Sequence, residues 1–448
     1  MSMVRSLRIR LGNTEVGSLF ELEDGRTYFR FDDKYAQDPA RPVLSQLYLA
    51  GTEADTIGQL MSPSLAANRG DGKWGLPTFF QNLLPEGLLR KHLMERASLS
   101  PDDEFGLLAY CGLDLPGDVW AVSESLSEPM MGRLLGQGFD SYEMSSGQLP
   151  APEGESISGV QPKVALVHST DGRYVMRSKT SDGHFIGKLP VSNHEALPEV
   201  EHFSLLMAQA AGVETCEHEL LPLSAISDRL PFALRSESER FLLVHRFDRD
   251  VATPTKRRHM EDFAQVTGTP AGEKYSGTYA AIGAILLARS ERGEEDVFEL
   301  LRRIKVNELL GNFDAHLKNF SLLYTTPQTA RLSPAYDIVA YSAYMGGRGH
   351  ALKFLPDQKA ATKLTPVVIR ALANIWRLPE TKMGKVVAET VDSAMTTWPK
   401  ILEESAIPEH LRVRVSAFLE ENESVKAWCK RHRHVSKPAT GDTSVTTN

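Results

Sequence analysis

At 448 residues, with 42% hydrophobic and 24% charged content, the chain is long enough to bury two or three cores, which excludes a largely disordered or fibrous protein. A net charge of −8 argues against a protein whose main task is to neutralise nucleic-acid phosphates. Three cysteines, Cys111, Cys216 and Cys429, lie far apart without a C-x-x-C pair, so no disulfide framework or zinc site is evident and a reducing, cytoplasmic setting is expected.

In chain order, the first elements read as short strands, Ser6–Leu11 and Tyr28–Phe31, separated by turn signals such as Glu23-Asp-Gly25. The N-terminus lacks the apolar core of a signal peptide. From about 76 to 111, Phe79-Phe80, Leu83-Leu84, Leu88-Leu89 and Leu93 recur at helical spacing. A Gly/Ser/Pro-rich loop over 145–154 marks a boundary. After it, Lys163–Val167 and Tyr174–Met176 predict a hairpin through Asp171-Gly172, a helix follows at about 199–212 and stops at Gly212, and Phe241–Phe247 reads as a buried strand. The apolar run Tyr279–Ala288 is about half the length a bilayer crossing needs, so it reads as a buried helix and no membrane contact is expected. Val297, Leu300, Leu301 and Ile304 share one face of a helix that stops near Gly311-Asn312, which places Asp314 just past its end. Asn319–Tyr324 and Arg331–Ser333 flank a polar turn, so that Asn319 and Asp337 can meet across a hairpin. Residues 365–430 repeat amphipathic helices, and 435–448 form a polar tail expected to be disordered.

The chemistry is concentrated late in the chain. Gly311-Asn-Phe-Asp-Ala-His-Leu-Lys-Asn-Phe320 puts an acid, Asp314, and an amide, Asn319, at the spacing of a protein-kinase catalytic loop. Asp314 would orient a hydroxyl nucleophile, and the same residue would serve equally as a turn or cap after the helix. Asn319 and Asp337 carry the hard oxygens that magnesium prefers, or are a turn amide and a strand-end acid. Upstream, Ser156-Ile-Ser-Gly-Val-Gln-Pro-Lys163 can wrap a phosphate, with Gly159, Val160 and Gln161 giving backbone approach and Lys163 a cation, although the run also reads as a surface turn. Lys188 either pairs with nucleotide phosphates and with a helix glutamate, for which Glu201 is the candidate, or is an ordinary solvated lysine. Arg246 and Phe247 form either a hinge beside the nucleotide or the charged end of a strand, and His316 and Lys318 either touch the nucleotide or are structural. The basic run Lys426–His434 combines charge with an aromatic ring, as nucleic-acid contacts do, or is a solvated helix end leading into the tail.

These segments, in this order, resemble the HipA family of bacterial toxin serine/threonine kinases. Ser156–Lys163 is similar to the family's phosphate loop, Gly187-Lys-Leu-Pro190 to its nucleotide-binding lysine segment, Val244–Arg249 to its hinge, Gly311–Phe320 to its catalytic loop and Tyr336-Asp-Ile338 to its metal-binding aspartate; Phe79-Phe-Gln-Asn-Leu-Leu-Pro-Glu86 also fits. The resemblance implies an α+β, two-lobe kinase-like fold: a β-rich and helical N-terminal subdomain over 1–145, a nucleotide-binding lobe over 146–250 and a mainly helical lobe over 251–434. It further implies ATP and Mg2+, phosphorylation of a protein hydroxyl (family targets include aminoacyl-tRNA synthetases), and pairing with a small DNA-binding antitoxin through which alone DNA is contacted. Autophosphorylation is implied at Ser156, with Ser158 as a nearby competitor; the added charge of about −1.5 to −2 would repel ATP phosphates and inactivate the enzyme. Three departures from ordinary kinases stand out: Ile338-Val339 follows Asp337 in place of Phe-Gly, Asn312-Phe313 replaces the H-R dipeptide, and no A-P-E segment follows Asp337. The same residues would also serve a small-molecule kinase, and a catalytically silent antitoxin-binding corepressor is the non-enzymatic alternative.

Overall fold

A computed structural model describes residues 5–70, 75–124, 161, 163–169, 172–176, 183–227, 239–250, 256–347, 349–357 and 363–432. The chain opens with three antiparallel strands, β1 (Arg5–Leu11), β2 (Thr14–Glu21) and β3 (Thr27–Phe31), turning at Gly12 and Gly25, both at positive φ where a side chain would be strained. Five helices follow, α1 (Asp33–Gln37), α2 (Glu53–Leu60), α3 (Thr78–Gln81), α4 (Gly87–Ala97) and α5 (Glu104–Cys111), before β4 (Val119–Ser123) returns to pair with β1. The sheet order is β3-β2-β1-β4, and alternate residues Leu7, Ile9 and Leu11 face a core filled by Phe29, Phe79, Phe80 and Leu107. The helical stripe expected over 76–111 is broken into three helices. Pro85 cannot continue a helix, and Gly87 takes φ 57°, so the chain turns between α3 and α4.

The second sheet has order β6-β5-β7-β9-β8, all antiparallel, from β5 (Lys163–His168), β6 (Tyr174–Met176), β7 (Phe185–Lys188), β8 (His218–Pro222) and β9 (Arg240–His245). The expected hairpin is present, with Leu166 opposite Met176, and the register sets Lys163 directly opposite Lys188. The strand read over Phe241–Phe247 ends at His245, because Arg246 and Phe247 enter a turn. Between β7 and β8 runs α6 (Leu197–Ala210), released at Gly212 with φ 89°.

The remainder is helical around a small antiparallel sheet of β10 (Met260–Asp262), β11 (Ser321–Tyr324) and β12 (Ala330–Leu332). Its helices are α7 (Phe263–Thr267), α8 (Tyr279–Arg289), α9 (Glu294–Leu310), α10 (Pro366–Trp376), α11 (Glu380–Glu404), α12 (Glu409–Glu420) and α13 (Glu423–His432). Val297, Leu300, Leu301 and Ile304 are fully buried on α9, and Gly311 ends that helix in the left-handed conformation. Helix α6 is tied to this helical part: Phe203 and Met207 share a core with Leu309, Leu310 and Trp398, whose indole N–H donates to the Met207 carbonyl at 2.8 Å. Among the described residues no helix is long and apolar enough to cross a membrane.

Candidate active site

The loop after α9 is built from its own amides. Asn312 donates its backbone N–H to the Asn307 carbonyl at 2.8 Å, while its side chain accepts from the Asp314 N–H at 3.3 Å and reaches the Asp337 carbonyl at 3.4 Å. Asn312, which is 2% exposed, therefore spaces the two acids. A 3-10 turn at Leu317–Asn319 then brings Asn319 round, its Oδ1 accepting from the His316 N–H at 3.0 Å and its Nδ2 donating to Asp337 Oδ2 at 3.3 Å. The Asp314 carboxylate accepts a hydrogen bond from the Tyr275 hydroxyl at 2.5 Å.

Asp337 sits at φ 53°, a region costly for a non-glycine residue, which marks a backbone held by its surroundings. Lys188, from the end of β7, contacts Asp337 Oδ1 and also Glu201 on α6, and Lys163 lies 3.7 Å from Asp337 Oδ2. The Glu201 side chain is 1% exposed and that of Asp337 28%, so the first is sealed and the second reaches solvent. Burial works to raise the Asp337 carboxyl, but the Lys163 and Lys188 charges outweigh it and hold the group well below its ordinary range. Burial likewise opposes the charge on Lys188, and Asp337 and Glu201 overcome it, raising the ammonium. For Glu201 burial wins over the nearby lysine and the carboxyl is raised.

Of the residues singled out from the sequence, Asp314, Asn319, Asp337, Lys163, Lys188 and Glu201 are linked in this way, whereas others are engaged differently. Lys318 pairs with Glu86 at 2.6 Å, and Lys274 holds the same carboxylate at 2.9 Å. Burial opposes the Glu86 charge, but the two lysines bring its carboxyl down to about 2. His316 is pushed down to about 3 by burial and the Lys274 charge, so it is neutral at pH 7 and offers no cation to a phosphate. Arg246 binds Asp114 at 3.1 Å and Asp248 at 2.9 Å, on the side of the first sheet's helices. Phe247 packs near the Tyr336 ring, with centroids 5.7 Å apart, beside Asp337. Gln161 donates to the Leu189 carbonyl at 3.3 Å. Gly159, Val160 and Ser156 lie outside the described residues.

Sequence reasoning missed Tyr275, Lys274 and the linking role of Asn312. Asn312 carried a signal, since it stands where ordinary kinases have another dipeptide; Tyr275 and Lys274, in a turn-rich stretch, carried none. For a metal, the donor set fits in part: an ionised carboxylate beside an amide is suited to magnesium, while among the described residues no group of three or more His, Cys, Asp or Glu could hold an ion alone. Nucleotide oxygens and water would have to complete such a site.

The model of the HipA N-terminal domain matches residues 7–122, and that of the HipA-like C-terminal domain matches 155–398. The Sinorhizobium fredii protein Y4dM, whose own kinase assignment is provisional, is 34% identical over 402 residues, covering 89% of this chain and 92% of that one. The serine/threonine-protein kinase toxin HipA of Shewanella oneidensis is 23% identical over 308 residues, covering 63% of this chain and 67% of the relative. In three dimensions the chain superposes on HipA in the Shewanella oneidensis complex of HipA, HipB and operator DNA with a TM-score of 0.65 at 20% identity, covering 95% of this chain and 97% of that one. The two-lobe, α+β architecture is thus that of HipA, and the chain belongs to the HipA family of kinases.

Proposed function

We propose that the chain is a serine/threonine protein kinase, the toxin of a toxin–antitoxin module, which transfers the γ-phosphoryl group of ATP to a protein hydroxyl. The observation that carries this reading is the bridge of Lys188 between Glu201 and Asp337, which fits the Lys–Glu pair and metal-binding aspartate that protein kinases use, with Asn319 alongside. Lys188, oriented by Glu201, would grip nucleotide phosphates. Asp314 would accept the acceptor's proton as its oxygen bonds to the γ-phosphorus and the bond to the ADP oxygen breaks. Asn319 and Asp337 would hold magnesium, which supplies charge neutralisation at the β and γ phosphates. Lys163, opposite Lys188 in the sheet, would add a second cation.

The finer features follow the same reading. The chain would work as three parts, 1–145, 146–250 and 251–434. Phosphorylation of Ser156 would add a dianion that repels ATP phosphates and turns the enzyme off. Because the Shewanella oneidensis neighbour is described with HipB and operator DNA, a small DNA-binding antitoxin is the partner proposed here, with DNA reached only through it. An aminoacyl-tRNA synthetase is the proposed class of target. The test is incubation of the purified protein with labelled ATP and magnesium: transfer of label to the protein itself or to a lysate protein, lost in Asp314→Ala, is expected. ATP binding without any transfer would defeat the proposal.

A further inference from the structure

The hydroxyl of Tyr275 donates to Asp314 Oδ1 at 2.5 Å, which is the contact an acceptor hydroxyl would make with a carboxylate acting as base. The segment that carries Tyr275 is fixed on both sides. Before it, Lys274 binds Glu86 through its ammonium at 2.9 Å, and its carbonyl accepts from the Leu317 N–H at 3.1 Å. After it, Ser276 donates to the Glu273 carbonyl at 2.8 Å. Gly277 lies so close to the catalytic loop that an added Cβ would stand 2.4 Å from Leu317 Cδ2. The Tyr275 ring meets His316 edge-on, centroids 5.2 Å apart, yet the residue is only half-buried. With the backbone anchored and the ring partly open to solvent, the phenol can leave Asp314 by side-chain rotation while the loop stays in place.

We propose that Tyr275 is a built-in cap on the catalytic carboxylate: its phenol holds the acceptor's place at Asp314, and a protein acceptor enters by turning it aside. This rests on the reading of the chain as a kinase with Asp314 as base. The cap keeps water from that position and sets a threshold that only an acceptor making further contacts can overcome. Water attack on ATP between turnovers, in which the water oxygen bonds to the γ-phosphorus as its proton passes to Asp314, the bond to the ADP oxygen breaks, and ADP and inorganic phosphate leave, is thereby suppressed.

The test compares the full-length wild type with Tyr275→Phe, which removes the hydroxyl and keeps the ring. ADP release from magnesium-ATP is measured without acceptor, and phosphate incorporation is measured with myelin basic protein as a probe acceptor. Loss of a hydrogen bond to a charged group predicts about a tenfold rise in acceptor-independent ADP release and a lower KM for the probe, with the KM for ATP unchanged. Tyr275→Leu, which also lacks the hydroxyl, is expected to show the same rise and serves if the Phe variant does not fold. A fall in kcat in both assays would overturn the proposal, since the phenol would then assist the reaction, and so would rates equal to the wild type. Failure of the wild type to bind labelled ATP would remove the kinase reading itself, a result distinct from an active wild type whose Phe variant is unchanged.

Discussion

Lys188 stands between two carboxylates of unlike exposure, so its removal acts on them differently. In Lys188→Met, Glu201 would be left sealed without a cation and would take up a proton, at a cost of roughly 3 kcal/mol in stability. Urea denaturation measures it; an unchanged midpoint would show that Glu201 is already neutral in the wild type. Asp337 retains Lys163 and Asn319 in that variant. Asp337→Asn separates charge from conformation, because Asn tolerates the left-handed backbone that Asp337 adopts. Phosphotransfer should fall by about 10²–10³-fold while circular dichroism is unchanged. Activity within a factor of two of the wild type would take Asp337 out of the phosphate site.

At the scale of elements, the loop after α9, proposed as the catalytic loop, is steadied by two neighbours distant in sequence. One is the turn that ends at Gly277. Because Leu317 is 1% exposed and has nowhere to retreat, Gly277→Ala should lower stability by about 1–3 kcal/mol, with an accompanying loss of activity. An unaltered melting temperature would mean that Leu317 yields freely. The other is Glu86, at the end of the segment begun by α3. It is half-buried between Lys274 and Lys318, so Glu86→Gln should cost only about 1 kcal/mol in stability, yet free Lys318 and lower kcat more than it raises the KM for ATP. Equal changes in both constants would point to a general loosening. What could be read from the sequence follows from this distinction. The α9 face, the β5–β6 hairpin and the approach of Asn319 to Asp337 are set by local periodicity and a short turn, and all were legible. The meeting of Lys318 with Glu86 joins residues 232 positions apart, and that of Lys188 with Asp337 joins residues 149 apart. The motifs put Lys188 and Asp337 on the same nucleotide phosphates but not on each other, and nothing local encodes either contact. The break between α3 and α4 was written in Pro85 but hidden beneath an apolar stripe that continues across it.

Over the whole molecule, the N-terminal sheet and its helices are joined to the kinase body by buried polar contacts. Glu261, on β10, is fully buried and accepts from Ser45 Oγ at 2.5 Å, the Gln46 N–H at 3.0 Å and the Tyr324 hydroxyl at 2.7 Å. Burial lifts its carboxyl from the ordinary 4.5 to about 7 against the pull of those donors. Between these values the folded protein binds a proton that the unfolded chain has released. The stability from this group is therefore fully present below about pH 4.5 and declines as pH rises to about 7, by up to roughly 3 kcal/mol. Glu261→Gln should escape that decline, so its advantage over the wild type in urea denaturation should grow from pH 5 to pH 8. A constant difference would show that Glu261 is ionised throughout.

A second seam joins the same parts. Arg249 donates to the Gly117 carbonyl at 2.8 Å and the Leu115 carbonyl at 2.8 Å, and both Arg249 and Arg246 reach Asp114 at 3.1 Å. The Arg249 side chain is wholly buried. A recombination event that replaced only the portion before Glu124 with an unmatched one would leave these arginines facing a foreign surface, and Glu261 without Ser45 and Gln46. Such hybrids would be poorly viable, so the two portions should descend together, with Asp114, Arg246 and Arg249 changing in concert across lineages.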